Sequence, residues 1–176
     1  MKAITLVVGG SRNYISYPTI VSVLDIIARN LKDVEIKIRE GGARGVDKLA
    51  SEYAELRGYD HESVKADWDN LNVYPCVIKR GANGREYNAL AGMIRNEQMI
   101  ADKNVKLVVL FSKDNSSGTN DAKGHAKKYK KDYFFLNANT NKVELGLGGK
   151  QYKNISYEEF IEGGYKEWLE LVSKSL

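Results

Sequence analysis

Three apolar runs, Ile4 to Val8, Val34 to Ile38 and Val105 to Phe111, each end in a loop of small and polar residues that opens into a helical pattern. Apolar runs alternating with helical periodicity build βα units and a mostly parallel, doubly wound sheet, so the fold class is α/β. The pattern places strands near 3–9, 34–39, 61–65, 105–111 and 132–136, and helices near 17–30, 46–57, 86–102 and 118–130. In the second helix Val46, Leu49, Ala50, Tyr53 and Ala54 recur at the spacing of one buried face, while Lys48, Glu52 and Glu55 point elsewhere.

At 176 residues the chain suits one domain with a sizeable core. The pattern weakens from Asp67 to Arg85, where Asn, Gly and Pro75 lie among scattered apolar residues, and a long connection of that kind often serves as a lid or binding loop. Beyond it, Lys142 to Ile155 reads as a hairpin turning at Gly146 to Gly149, and Tyr157 to Leu176 as an amphipathic helix with the stripe Phe160, Ile161, Tyr165, Trp168, Leu169 and Val172. The expected division is residues 1–138 as a ligand-binding domain and residues 139–176 as a hairpin and helix packed on that domain or at a dimer interface.

Composition narrows the chemistry. The lone Cys76 excludes an internal disulfide framework and a cysteine zinc site, and points to a reducing, cytoplasmic compartment. Neither a signal pattern nor a run of membrane-spanning length is present. His61 and His125 are too isolated for a metal centre, and no cofactor is expected. The net charge of +4 permits anionic ligands. The densest basic patch, Lys123, Lys127, Lys128, Lys130 and Lys131, reads as a solvated helix end that opposes the helix dipole, which makes nucleic acid the lesser reading.

The loops carry the chemistry. Gly41-Gly42-Ala43-Arg44-Gly45-Val46-Asp47 joins a strand to a helix N-terminus, where glycines let the backbone approach a ligand and unsatisfied amides attract phosphate. Arg44 adds a planar cation, and Asp47 is placed to cap amides or accept from a sugar hydroxyl. Gly9-Gly10-Ser11-Arg12-Asn13 makes a second such turn, and Asp114 to Asp121, with Ser117, Gly118 and Thr119, makes a third. In an open parallel sheet all three lie along one edge, where ligands bind.

Residues 4 to 137 resemble the SLOG superfamily, and within it the YspA-like branch. The resemblance rests on Gly10-Ser11-Arg12, the Gly41 to Asp47 loop, Ala66-Asp67-Trp68, the helix segment Ala91, Gly92, Arg95, Asn96 and Met99, and the helix start Gly118-Thr119. It implies a Rossmann-like domain, often homodimeric, that binds nucleotides or nucleotide-derived molecules. Branches differ: Lonely Guy proteins are phosphoribohydrolases, others sense NAD-derived signals, and the DNA-processing protein A branch binds single-stranded DNA. In the hydrolases an arginine and a glutamate form the catalytic pair. Arg95 matches the arginine, but the glutamate position falls on Ala122, with Asp121 one residue earlier. A one-residue helical shift turns a side chain by about 100°.

The favoured expectation is therefore a protein that binds an NAD- or ADP-ribose-type signal or nucleoside phosphate without turnover, as a sensor or sequestering protein, such as a phage protein countering host nucleotide signalling. Ser11, Arg12, Gly42, Arg44, Gly45, Ser117, Gly118 and Thr119 hold phosphates in this reading, Asp47 or Asp121 takes ribose hydroxyls, Trp68 offers an aromatic face for stacking, Arg95 supplies further charge, and Gly10, Asp67 and Asn96 complete the ligand-binding set. The alternatives are a nucleotide N-glycosidase using Arg95 and Asp121, with Asp47 or Asp67 in reserve, and a single-stranded nucleic-acid binder. The expected partners are a small molecule and a second copy of the chain, with no membrane.

Overall fold

Apolar side chains alternate across the central strands and bury both faces of one sheet. The computed structural model describes residues 1–14 and 16–176. The sheet has seven strands, in the spatial order β3-β2-β1-β6-β7-β8-β9. Those strands are β1 (Lys2–Gly10), β2 (Val34–Glu40), β3 (Asp60–Ser63), β6 (Val105–Ser112), β7 (Asp132–Asn137), β8 (Lys142–Leu147) and β9 (Lys150–Ser156). The first five run parallel, and β8 and β9 extend the sheet antiparallel from β7. The single α/β domain expected from the pattern is thus observed, and the hairpin expected near 142–155 is part of the same sheet.

Both faces are covered. On one, Ile4, Leu6 and Val8 of β1 meet Ile20, Val23, Leu24 and Ile27 of α1 (Tyr17–Asn30), Val46, Ala50, Tyr53 and Ala54 of α2 (Val46–Arg57), and Trp168, Leu169 and Val172 of α6 (Lys166–Lys174). On the other, Val7, Val108 and Leu110 meet Met99 and Ile100 of α3 (Ala91–Ala101) and Ala122 and Ala126 of α4 (Ser117–Lys128). The period-two switch of partners along β1 is what a strand buried on both faces requires. Among the described residues no helix is long and apolar enough to cross a membrane.

Two expectations are corrected. The helix expected over 86–102 begins only at Ala91, because Glu86–Asn88 (β5) pairs antiparallel with Ile78–Arg80 (β4) inside the long connection. Asn88 enforces the change: it is fully buried, its carbonyl oxygen accepts from the amides of Val77 (3.2 Å) and Leu90 (3.0 Å), and its own amide donates to the Trp68 carbonyl at 2.8 Å. The helix expected over 157–176 is broken. A single turn, α5 (Tyr157–Glu159), runs into a wide π-type turn at Phe160–Gly164, and α6 follows. Gly163, at φ +128, is where the helical path fails. Phe160 and Trp168 of the expected stripe are nonetheless fully buried.

The lysine patch also divides. Lys123 bonds Glu144 at 2.7 Å and lies 4.4 Å from the centre of the Phe135 ring, and Lys131 donates to the carbonyls of Asp102 and Val105. Those two lysines hold the fold together, while Lys127 and Lys128 lie at the surface.

Candidate functional site

Strand order reverses between β1 and β6, and at their carboxyl ends a cleft of about 1010 Å³ opens. That is where open α/β sheets receive ligands, and the volume is at the upper end of small-molecule sites. A Cβ on Gly10 would stand 2.2 Å from the Phe111 carbonyl, and one on Gly45, at φ +75, would stand 2.5 Å from the carbonyls of Ser11 and Arg12. Glycine at both positions is what lets β6, the loop after β1 and the start of α2 touch. Arg12 and Arg44 consequently come from adjoining backbone, and both are exposed and line the cleft. Neither has a carboxylate partner among the described residues.

Ser11 is also engaged within the chain. Its hydroxyl accepts from the Lys113 amide at 2.7 Å and donates to the Lys113 carbonyl at 3.1 Å, tying the ends of β1 and β6 together. Asn13 donates to Asp114 at 2.9 Å, and Asn139 braces the same carboxylate at 2.9 Å. The hydrogen bonds from Asn139 and Asn13 hold the Asp114 carboxyl below its ordinary range. The rim is thus fixed by side-chain bonds between loops.

The glycine loop is filled from within. Glu40, at the end of β2, is 1% exposed, and its carboxylate accepts from the Gly42 amide, from His61 Nε2 at 3.1 Å and from the Ser63 hydroxyl. Asp47, in the first turn of α2, accepts from the Ala43 amide at 3.2 Å. Amides that read as a phosphate cradle therefore already meet two carboxylates of the same chain. Burial pushes the Asp47 pKa up to about 6, with the Glu40 charge adding and the Ala43 amide and Arg95 opposing.

Arg95 reaches into this region from α3. Its Nη1 donates to the Gly41 and Val64 carbonyls and its Nε to Asn96 Oδ1, while Nη2 has no partner among the described residues. Burial holds its pKa below the ordinary arginine value, with Asp47 opposing and Arg12 reinforcing. Asn96 in turn donates to the Gly118 carbonyl at 3.3 Å and to Asp121 at 3.0 Å. His125 stands behind, with Nδ1 3.3 Å from Glu97 and Nε2 3.3 Å from Asp121, the latter outside hydrogen-bond geometry. Arg95 and Asp121 both line the cleft, and Ala122, at the glutamate position, is buried in its wall.

The third loop offers an open helix end. Ser116 caps α4 by accepting from the Thr119 amide, while Ser117 and Gly118 of the first turn are exposed to the cleft. Trp68 supplies the far wall, 37% exposed and edge-on to Tyr87 at 6.3 Å. Gly10, Ser11, Arg12, Arg44, Asp47, Trp68, Arg95, Asn96, Ser117, Gly118, Thr119 and Asp121 all line one cleft. Gly42, Gly45 and Asp67 do not: Gly42 turns its amide to Glu40, Gly45 packs against Ser11 and Arg12, and Asp67 is exposed outside the lining. Sequence reasoning missed Glu40, Lys113 and Met93; the position of Glu40 directly before the Gly-Gly turn was the one available signal.

A mostly parallel sheet with helices on both faces and a cleft at its switch point defines a Rossmann-like fold. Residues 4–70 match the YAcAr model, the YspA, cpYpsA-related SLOG family, so the SLOG resemblance read from the motifs stands over that span. DNA processing protein A from Streptococcus pneumoniae has a similar fold, with a TM-score of 0.52 and 21% identity over 76% of this chain and 50% of that one. This chain thus spans half the length of that structure. MurG from Acinetobacter baumannii aligns with a TM-score of 0.46 and 8% identity over 78% of this chain and 35% of the other. No curated protein sequence matches.

Proposed function

We infer that the cleft binds a phosphorylated, nucleotide-derived small molecule, and that the protein senses or sequesters this ligand without cutting it. One observation carries the reading: three arginines from three separate segments, Arg12, Arg44 and Arg95, line a single cleft whose remaining wall includes an open helix N-terminus and a partly exposed tryptophan. Arg12 and Arg44 have no carboxylate partner among the described residues, and an anion bound between them would supply one. The SLOG match over residues 4–70 supports a nucleotide-related ligand.

Phosphate goes to the Arg12, Arg44 and Ser117-Gly118 side, because the amides of the Gly41 to Asp47 loop are partly spent on Glu40 and Asp47. Sugar hydroxyls fall to Asp47 or Asp121. Non-cleavage is favoured by the state of the nearest catalytic candidates: Arg95 is pinned to two backbone carbonyls, and Asp121 is held by Asn96.

The test is mass spectrometry of purified protein incubated with nucleoside monophosphates, NAD, ADP-ribose and cyclic ADP-ribose isomers. One intact compound retained near stoichiometrically is the expected result, and accumulation of free base beyond stoichiometry overturns non-cleavage. Arg44→Ala is expected to weaken the retained ligand by about 10- to 100-fold, the range for one charge-assisted hydrogen bond. Unchanged affinity in that variant moves the phosphate elsewhere.

A further inference from the structure

We propose that His125 carries a ring proton on Nε2 and donates it to Asp121, holding that carboxylate in the orientation that reads a ribose hydroxyl, so that the cleft prefers ribonucleotides to deoxyribonucleotides. This rests on the nucleotide-binding reading above. Asp121 and His125 stand four residues apart on α4 and share one face of the helix, the face turned to Asn96 and Glu97 of α3. The His125 side chain is 14% exposed, and its Nε2 is buried with no hydrogen-bond partner among the described residues, 3.3 Å from Asp121 Oδ1. A buried ring nitrogen left unbonded is costly, and a small rotation of the ring or the carboxylate turns this approach into a bond.

The two ring nitrogens face unequal partners. Nδ1 lies 3.3 Å from Glu97, whose side chain is 43% exposed and already accepts from Lys128 Nζ at 3.3 Å. Asp121 is the more enclosed carboxylate and has no lysine or arginine in ion-pair contact among the described residues. A ring N–H is therefore needed at Asp121 more than at Glu97, which selects Nε2 as the protonated nitrogen. Asn96 donates to the other oxygen, Oδ2, at 3.0 Å. A donor on each oxygen fixes the plane of the carboxylate, and each oxygen keeps a second lone pair for a hydroxyl in the cleft that Asp121 lines. Asp121 stands four residues beyond Ser117, about 6 Å along the helix axis from the end assigned to phosphate, which is where the sugar follows. A site built to bond a hydroxyl rejects the analogue that lacks it.

Two measurements test this. A long-range nitrogen–proton NMR spectrum of the ligand-free protein, with the His125 ring assigned by its loss in His125→Leu, is expected to show Nε2 protonated; a bare Nε2 overturns the proposal. Calorimetric titration of the parent, His125→Gln and His125→Leu with AMP, 2′-deoxy-AMP and 3′-deoxy-AMP then reads the sugar, with circular dichroism as the folding control. The parent is expected to bind AMP at least about tenfold more tightly than one of the two deoxy compounds. His125→Leu is expected to bring AMP down to the level of that compound, whose own affinity does not move, whereas a merely structural loss weakens all three together. His125→Gln, which returns an N–H four residues from Asp121, is expected to restore the preference to within about threefold of the parent. An undiminished preference in His125→Leu, or no rescue by His125→Gln, overturns the proposal and leaves the nucleotide reading standing. Failure of all three compounds to bind removes the nucleotide reading and this proposal with it, and the nitrogen spectrum distinguishes that failure from a His125 that offers Asp121 no proton.

Discussion

Asp47→Asn should make the protein more stable at pH 8 while weakening its ligand site. The carboxylate is 6% exposed, and burial raises its pKa from an unfolded value of 3.8 to about 6. A carboxyl whose folded pKa is raised binds its proton more tightly when folded. It therefore contributes stability that is complete below about pH 4 and is lost as pH rises through about 6. The interval of roughly two pH units corresponds to on the order of 3 kcal/mol of cost carried by the ionised group at pH 8.

Asparagine keeps an acceptor for the Ala43 amide and is neutral throughout, so it avoids most of that cost. A gain of about 2 kcal/mol corresponds to a rise in Tm of roughly 4 to 8 °C for a domain of this size. Thermal melts of the parent and Asp47→Asn at half-unit steps from pH 4 to pH 8 test this. The two curves should converge near pH 4 and separate above pH 6. A variant that melts below the parent at pH 8, or a difference that does not change with pH, refutes the reasoning. Where the parent gains a ligand hydroxyl bond through the charged carboxylate, the same variant is expected to lose about tenfold in affinity, which makes Asp47 a group whose charge serves binding at the expense of stability.

Other perturbations probe the rest of the site and the core. Glu40→Gln leaves one acceptor oxygen for three donors and turns an NH₂ toward them; it should cost about 2 to 3 kcal/mol in denaturant titrations, and an unchanged midpoint would show that the carboxylate does not hold the glycine loop. Trp168→Phe removes the indole N–H that donates to the Gly146 carbonyl at 3.0 Å in a fully buried position, and should lower stability by about 1 to 3 kcal/mol with no change in ligand affinity. Asp121→Asn should leave the chromatographic profile of incubated nucleotides identical to that of the parent, with no base released by either; multiple turnovers in the parent that vanish in the variant would instead make Asp121 catalytic.

Much of the fold was legible because it follows from periodicity. The helix read over 46–57 is α2 to the residue, and the strand ends at Gly10, Glu40 and Ser112 lie within a few residues of the apolar runs that announced them. Legibility failed where one buried polar side chain decided the path. The segment 86–90 has nothing in its periodicity to separate a helix start from a short strand, and the choice is made by Asn88, whose bonds to Val77 and Leu90 exist only once the connection has folded back. Likewise, Gly163 sits within a continuous apolar stripe, so the stripe predicts burial correctly and helix continuity wrongly.

The candidate site was legible as a convergence of three loops and illegible in how its charges balance. A glycine-rich turn at a helix N-terminus attracts an anion for reasons indifferent to the anion's source, so a carboxylate from the same chain satisfies it as well as a phosphate does. Glu40 and Asp47 do so here, and only their burial reveals it, since at sequence level one is a polar strand end and the other a helix cap. The consequence runs through the whole cleft. With those two carboxylates inside the glycine loop and Arg95 bonded to neighbouring carbonyls, the cations left facing the cleft are Arg12, Arg44 and Lys113, on the side of the exposed Ser117 and Gly118. On the binding reading proposed above, the anionic end of a ligand belongs on the β1 and β6 side of the switch point, with Trp68 at the far wall of the same cleft.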